Sequence, residues 1–144
     1  MSNEIDTSEA RNLLHKTMLD LVKANLQGVT KAMLFAEGEA KKGCPVDEGM
    51  LRATTTGEAE DTHTEIKGVL YNSTDYAVYV HQGTGIYAVN GDGRKTPWFW
   101  NGDSIKWGGG HFTSGQRPVP FMRDAIENNL DKIEEIIKKE GEVK

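Results

Sequence analysis

A run of apolar residues at helical spacing dominates the first third of this 144-residue chain. Its members recur at intervals of 4, 4, 4, 3, 4 and 3: Leu14, Met18, Val22, Leu26, Val29, Met33 and Ala36. This period predicts one face of an α-helix from about Ser8 to Lys41, on the order of 50 Å long. Asp6, with Glu9 three residues later, predicts a capping box at its start. Because the run lacks clean heptads, it favours a core helix over a coiled-coil partner helix.

A β-pattern follows this helix. Residues 52–56 and 65–71 are rich in β-branched and apolar residues and are separated by a polar, acidic stretch, which predicts an antiparallel hairpin whose first strand starts at Leu51. Residues 72–75 are turn and cap formers. The next segment, from Tyr76, fits a strand or a short helix, and the spacing of Tyr76, Tyr79 and Val80 favours the helix.

The last third of the chain combines a flexible-looking stretch with a second helix. Residues 83–117 are rich in glycine and aromatic residues, and Asn101-Gly102 is a strong turn signal, so an extended β-hairpin is expected from about Ile86 to Gly115. From Phe121 onward, apolar residues recur at 3 and 4, which predicts one C-terminal helix. Its last turn carries lysines that oppose the helix dipole.

Composition limits the architecture to a single domain. A chain of this length, 37% hydrophobic and 27% charged, holds one modest core. The expected fold class is α+β: a long N-terminal helix and a C-terminal helix packed on a small antiparallel sheet, with an extended Gly- and aromatic-rich hairpin. The domain spans residues 1–144, of which 1–7 and 140–144 are expected to be flexible tails.

Charge and hydropathy exclude several functional classes. No apolar run approaches the ~18 residues of a membrane span, and the polar, acidic N-terminus lacks the pattern of a signal peptide. A cytoplasmic protein that does not insert into membranes is therefore expected. The net charge of −5 argues against sequence-specific nucleic-acid binding. The single cysteine, Cys44, excludes an intramolecular disulfide and is expected to be a small buried residue.

Two motifs place a rigid Pro, a flexible Gly and a cationic Arg at the end of a structured element. The first runs from Cys44 to Arg52 and contains Pro45, Asp47, Gly49 and Leu51. It predicts a sharp helix exit, because proline lacks the N–H of a continuing helix and glycine tolerates positive φ. The second runs from Gly115 to Arg123, and its Pro120 has φ preset for the first turn of a helix. Both motifs are interpreted as structural junctions.

Together with a third segment these motifs resemble a family of tail-component proteins of tailed bacteriophages, which act as neck or tail-completion proteins in head–tail joining. The family pattern has three runs in this order: Pro-x-Asp-x-Gly-x-Leu-Arg, Tyr-Ala-x-Tyr-Val-x-x-Gly-Thr and Gly-x-x-Pro-x-Pro-Phe. In this chain they are carried by Pro45, Asp47, Gly49, Leu51, Arg52, Tyr76, Tyr79, Gly83, Thr84, Pro118, Pro120 and Phe121. The chain departs from the pattern at His81, where the family usually has an acidic residue, and at Glu48, where it more often has Thr.

The resemblance implies a structural virion protein that forms a homo-oligomeric ring at the head–tail junction and contacts other head-completion and tail proteins. It implies no enzyme activity, cofactor, metal or membrane, and it places the protein in the virion and, during assembly, in the bacterial cytoplasm. Aromatic residues on Gly-rich loops are expected to form the assembly surface. These are Tyr87, Trp98, Phe99, Trp100 and Trp107.

Two other functional classes stay open at the level of sequence. Four histidines, His15, His63, His81 and His111, show no metal-site spacing. A metal-dependent or acid/base hydrolase would need His81, Asp47 and His111 to converge in one pocket. A peptide-binding host adaptor would use the hairpin that carries Trp98 and Trp107, and it would be a stable monomer. Gly91 to Thr96 lacks the spacing of a phosphate-binding loop.

Overall fold

A computed structural model describes residues 7–45, 49–100 and 110–142. Helix α1 spans Ser8–Gly43 and confirms the predicted long N-terminal helix. Its N-cap residue is Thr7, which makes no side-chain capping bond, whereas Asp6 of the predicted capping box lies outside the described residues. At the other end Cys44 takes extended backbone angles, φ −72° and ψ 129°. The residue before a proline avoids helical angles, so Pro45 accounts for the helix end.

The prediction that Leu51 starts a strand is wrong, because Leu51 lies in a one-turn helix, α2, Met50–Ala53. Gly49 precedes this turn with φ 78°, in the left-handed region that the sequence analysis assigned to it. The backbone N–H of Ala53 then donates to the carbonyl of Gly49 at 2.9 Å and closes the turn. Without Cβ, glycine takes this conformation at no steric cost, and the chain reverses into a helical turn before the first strand.

Strands β1, Thr55–Asp61, and β2, Ile66–Asn72, form the predicted antiparallel hairpin. The acidic stretch expected to separate the strands belongs largely to β1, which corrects that boundary. Side chains of a strand alternate between its two faces, and Glu58 and Glu60 both point to the exposed face. Their charges stay in solvent and are therefore compatible with a strand. The opposite face packs on α1, where a Cβ added at Gly57 would lie 2.2 Å from the carbonyl oxygen of Met33.

Helix α3, Ala77–Gln82, confirms the short helix favoured over a strand. A 3-10 turn, Gly85–Tyr87, follows it. The Gly- and aromatic-rich region forms a second antiparallel pair, β3 (Trp98–Trp100) with β4 (His111–Thr113). A hairpin is therefore present, but its predicted start at about Ile86 is wrong, because Ile86 lies in the 3-10 turn. The described ladder is three residues long, and Asn101-Gly102 lies outside the described residues.

The C-terminal helix is two helices, α4 (Phe121–Glu127) and α5 (Leu130–Glu140), and not the single helix that was predicted. The break lies at Asn128 and Asn129. The side-chain amide of Asn129 donates to the carbonyl of Ala125 at 2.8 Å, a local bond that competes with regular helical pairing. Glu140, expected to begin a flexible tail, is the last residue of α5, and its carboxylate lies 2.9 Å from Lys31 Nζ.

The architecture is α+β, as predicted. The C-terminal half of α1 is central: the β1–β2 hairpin packs on it, as do α4 and α5. Two apolar clusters result. One is formed by Ala32, Met33, Ala36 and Ile133, and the other by Ala40, Cys44, Leu51, Ala77, Phe121 and Ala125.

Candidate assembly interface

The three sequence motifs meet in the second apolar cluster. Cys44 and Leu51 come from the first motif, Ala77 from the second and Phe121 from the third, and all four are buried. Phe121 is only 3% exposed, and Val80 of α3 packs against the same cluster. Residues up to about eighty positions apart in the chain therefore share one core. Each of the three motifs therefore contributes a buried side chain to the same apolar cluster.

Backbone hydrogen bonds join the second motif to the third. The N–H of Thr84 donates to the carbonyl of Gln116 at 2.9 Å, and the N–H of Gln116 donates to Thr84 Oγ1 at 2.9 Å. The N–H of Val119 donates to the carbonyl of Val80 at 2.9 Å. These bonds hold the segment before α4 alongside the end of α3. Thr84 both donates a hydrogen bond to Gln116 and accepts one from it.

Gly83 has no room for a side chain at this junction. Its φ is 79°, and a Cβ would lie 2.9 Å from the carbonyl oxygen of Gln116 and 3.0 Å from Pro118 Cδ. Both the backbone conformation and the close approach require glycine. Pro120 occupies the N-cap position of α4, one residue earlier than the first-turn position predicted for it. Arg117, beside Pro118, lies with its guanidinium carbon 4.9 Å from the centre of the Tyr87 ring.

His81, where the chain departs from the family pattern, caps α4. Its Nε2 accepts a long bond, 3.4 Å, from the N–H of Arg123, one of the first-turn donors that lack a partner within the helix. The ring also meets Phe121 edge to face at 6.2 Å. Burial, aided by the charge of Arg123, lowers the pKa of His81, which favours the neutral ring that accepts this bond. A carboxylate at the same position would be an equally suitable acceptor.

The first motif is tied to the β-hairpin by Asn72. Its side-chain amide donates to the carbonyl of Leu51 at 2.7 Å and to Thr55 Oγ1 at 2.9 Å. Thr55, 1% exposed, donates in turn to the carbonyl of Leu51 at 2.9 Å. Asn72 was not singled out from the sequence, where it reads as an ordinary turn residue. Pro45 and Arg52 are exposed, and Asp47 lies outside the described residues.

Several motif side chains face solvent and are not part of the core. Tyr76, the N-cap residue of α3, and Tyr79, within that helix, are 45% and 60% exposed. Of the predicted aromatic interface, Phe99 and Trp100 are 56% and 41% exposed, and Phe112, which was not part of that prediction, is 74% exposed beside them. Phe99 packs edge to face on Phe112, and Trp100 on His111, each pair at 5.4 Å. Half-buried Trp98 lies under Arg94, Tyr87 belongs to the separate 3-10 turn, and Trp107 lies outside the described residues.

Among the described residues, exposed large apolar side chains are most numerous on α1, where the sequence predicted core. Every residue from 9 to 23 is exposed. Leu14 and Met18, which belong to the predicted core face, are each 65% exposed, and Val22 is 42% exposed. The prediction that this whole face is buried is therefore wrong for its N-terminal half. We define the exposed stripe as Leu14, Met18, Leu21 and Val22.

The side chains considered for catalysis do not form a described site. His81 lies in α3 and His111 in β4. Across residues 7–45, 49–100 and 110–142, no group of three or more His, Cys, Asp or Glu side chains is arranged to hold a metal ion. Cys44 is buried, and burial raises the pKa of its thiol, which makes the reactive thiolate less accessible.

Over the same ranges, no helix has the length and apolarity that crossing a membrane requires. No protein-family model matches the chain, and neither a curated protein nor a solved structure matches it significantly.

Proposed function

We propose that this protein is a structural virion component of a tailed bacteriophage or prophage, a neck or tail-completion protein that acts in head–tail joining through self-assembly and contacts with neighbouring virion proteins. The proposal starts from the three ordered sequence motifs that resemble the tail-component family. The observation that carries it is their convergence. Residues of all three motifs pack in one cluster around Phe121, so the resemblance covers a connected structural unit and not three unrelated short matches.

The distribution of apolar side chains supports an assembly role. Among the described residues, large exposed apolar side chains are most numerous on α1, and others lie on α3 and on the β3–β4 hairpin. Soluble monomers rarely expose apolar patches of this kind, and such patches mark contact sites. The β3–β4 hairpin carries aromatic residues, which dominate interface energetics, and we assign it to contacts that join the protein to its neighbours in the virion.

The proposed role requires no catalysis. The motif side chains whose contacts are described here serve packing, helix capping or loop pairing. Hydrolysis of a phosphodiester, peptide or glycoside by the purified protein, abolished by His81→Ala or Asp47→Ala, would contradict this assignment and support the hydrolase alternative.

A complementation experiment in the phage or prophage that encodes the protein tests the proposed function. Inactivating the gene should give separate heads and tails in electron micrographs, and the wild-type gene should restore joined virions. The double variant Trp98→Ser, Trp100→Ser should retain helical circular dichroism and solubility but should fail to restore joining. Its matched control is Leu130→Ser, which removes an exposed large apolar side chain on α5, away from the hairpin.

Two results would count against the proposal. Normal virions without the gene would rule out a required joining role. If the double Trp variant unfolds, the two rings belong to the folded core, and the joining surface must lie elsewhere. Portal, major capsid and tail-tube genes beside the coding sequence would support the proposal independently.

A further inference from the structure

The exposed stripe of α1 needs an occupant, and we propose that it is a second copy of this chain. The stripe packs on the outer face of the β1–β2 hairpin of the next copy, so successive copies join head to tail. We define the outer sheet face by the side chains that point away from α1: Glu58, Glu60, Lys67, Val69 and Tyr71. This inference rests on the self-assembly in the proposed function and assigns its lateral contact.

The same helical face already binds this sheet within one molecule. Met18 and Met33 belong to one apolar face of α1. Met33 packs on the inner face of the hairpin, where it approaches Gly57 and Gly68 closely. No element within the described part of the chain covers the N-terminal continuation of this face, and the hairpin has a second, outward face. Adding a helix there would give the sheet a helix on both sides.

The two surfaces match in length. The exposed part of α1, residues 9–23, is roughly 22 Å long at 1.5 Å per residue. Strands β1 and β2 have seven residues each, which corresponds to roughly 23 Å at 3.3 Å per residue. One helical segment therefore covers one hairpin from end to end.

The two surfaces also match in charge. At 100° per residue, Arg11 lies on the same face as Met18, whereas Glu9 and Asp20 lie on the opposite face. The stripe therefore presents apolar side chains with a cation and no acid. The outer sheet face presents Val69 and Tyr71 beside Glu58 and Glu60, with Lys67 as its cation. Glu58 lies directly opposite Val69, and Glu60 opposite Lys67, so the apolar residues of β2 border the acids of β1. A stripe packed on Val69 and Tyr71 therefore has carboxylates at its edge, where Arg11 can pair with them.

Pairing of two α1 stripes with each other fits less well. Such a contact sets two cationic, acid-free faces together and leaves Arg11 without an opposing carboxylate on the stripe. It is also two-fold symmetric and closes after two copies, whereas a helix-to-sheet contact is heterologous and continues into a ring. The charges and the proposed ring both favour the helix-to-sheet contact.

Cysteine cross-linking distinguishes these arrangements. In the variant Met18→Cys, Val69→Cys each copy carries one thiol on the stripe and one on the outer sheet face. Mild oxidation should give a ladder of dimers, trimers and larger species on non-reducing gels, because each copy can link to two neighbours. Native Cys44 is buried and should not react. The matched control, Lys16→Cys with Val69→Cys, places the first thiol on the opposite face of the helix and should stay monomeric.

A charge exchange tests the same contact without cross-linking. Arg11→Glu and Glu58→Arg should each weaken self-association two- to fivefold, measured by light scattering during gel filtration, and the double variant should recover most of the loss. Lys16→Glu should leave self-association unchanged. Dimers from Met18→Cys alone would overturn the inference in favour of pairing between stripes.

Failure of this inference is distinguishable from failure of the proposed function. If the double-cysteine variant gives no ladder while the wild-type protein forms rings or restores head–tail joining, the helix-to-sheet contact is wrong and the function stands. A wild-type protein that stays monomeric would also overturn the contact. The proposed function is decided separately, by complementation.

Discussion

The two halves of α1 lie on one continuous helix but differ in both size and burial of their apolar residues. In the C-terminal half the buried positions are mostly small: Gly28, Ala32, Ala36 and Ala40, with Met33 as the larger exception. In the N-terminal half the apolar residues are large and exposed: Leu13, Leu14, Met18, Leu19, Leu21 and Val22. Small residues let neighbouring backbones approach closely, as at Gly28, where a Cβ would lie 3.0 Å from the carbonyl oxygen of Ile137.

This difference shows that apolar character and burial are separate properties of a helix. The half that holds the domain together uses side chains with little surface to bury, because the β-hairpin, α4 and α5 crowd against it. The other half carries the greater apolar surface and leaves it in solvent. Exposed apolar surface of this extent weakens solubility and contributes nothing to monomer stability, so it fits a surface reserved for assembly.

The largest loss of stability should come from truncating Phe121, which packs in the second apolar cluster together with Ala40 of α1. Phe121→Ala should lower the free energy of unfolding by about 3–4 kcal/mol, because the ring is buried against Ala40 and Cys44 and its loss leaves a cavity. Phe112→Ala, at a ring 74% exposed, is the control and should cost under about 0.5 kcal/mol. Urea denaturation measures both changes. Equal losses would mean that Phe121 has no special place in the core.

The second prediction tests whether the buried half of α1 requires small residues. Ala36→Leu should destabilise by about 2–3 kcal/mol, because the position is fully buried and the added carbons have no space. The opposite exchange in the exposed half, Leu14→Ala, should change monomer stability by less than about 0.5 kcal/mol and should instead weaken self-association. If Ala36→Leu leaves the free energy of unfolding unchanged, the buried half tolerates large residues and the two halves do not differ in this respect.

Gly49 tests the junction that follows the buried half. Its φ of 78° strains any residue with a Cβ, although among the described residues no atom beyond the chain neighbours lies within 4 Å of the Cβ position. Gly49→Val should therefore destabilise by about 1–2 kcal/mol through backbone strain alone. Gly38→Ala, at an open helical position of α1, should stabilise by about 0.5–1 kcal/mol. An unchanged urea midpoint for Gly49→Val would contradict the left-handed turn.

The smallest effect concerns the charged contact between α1 and β1. Glu37 accepts a bond from Lys41 Nζ at 2.6 Å and from the N–H of Gly57 at 2.9 Å, and these bonds lower its pKa. Glu37→Gln should cost about 1 kcal/mol at pH 7. Because the folded-state pKa is lowered, this contribution is present above the unfolded pKa of about 4.3 and is lost as pH falls through the folded value.

Thermal melts of the wild type and of Glu37→Gln between pH 7 and pH 3 measure this dependence. The difference in Tm between them should shrink as the pH falls below about 4.3. The control is Gly38→Ala, which alters no ionisable group, so its Tm difference from the wild type should stay constant over this pH range. A difference that grows toward acid pH would reverse the assigned sign.

Much of the local structure of this protein follows from its sequence alone, although the helical turn at Leu51 and the break between α4 and α5 do not. The apolar period located α1, Gly49 and Pro45 located the junction after it, and the short helix α3 and the β1–β2 hairpin were predicted from spacing and composition. These features depend on φ, on the missing N–H of proline and on residues three or four positions apart. Each of these causes acts between residues that are close in the sequence. The α+β class follows from them.

Tertiary structure decided which apolar faces are covered and which distant segments meet. Periodicity shows that Leu14 and Ala36 share a face, but only the position of the other elements exposes one and buries the other. Leu51 lies in a helical turn because Gly49 and Asn72 fix its backbone from both sides, and Phe121 joins the three motifs because α4 packs on α1. Burial depends on contacts between residues far apart in the chain, and no local pattern encodes those contacts.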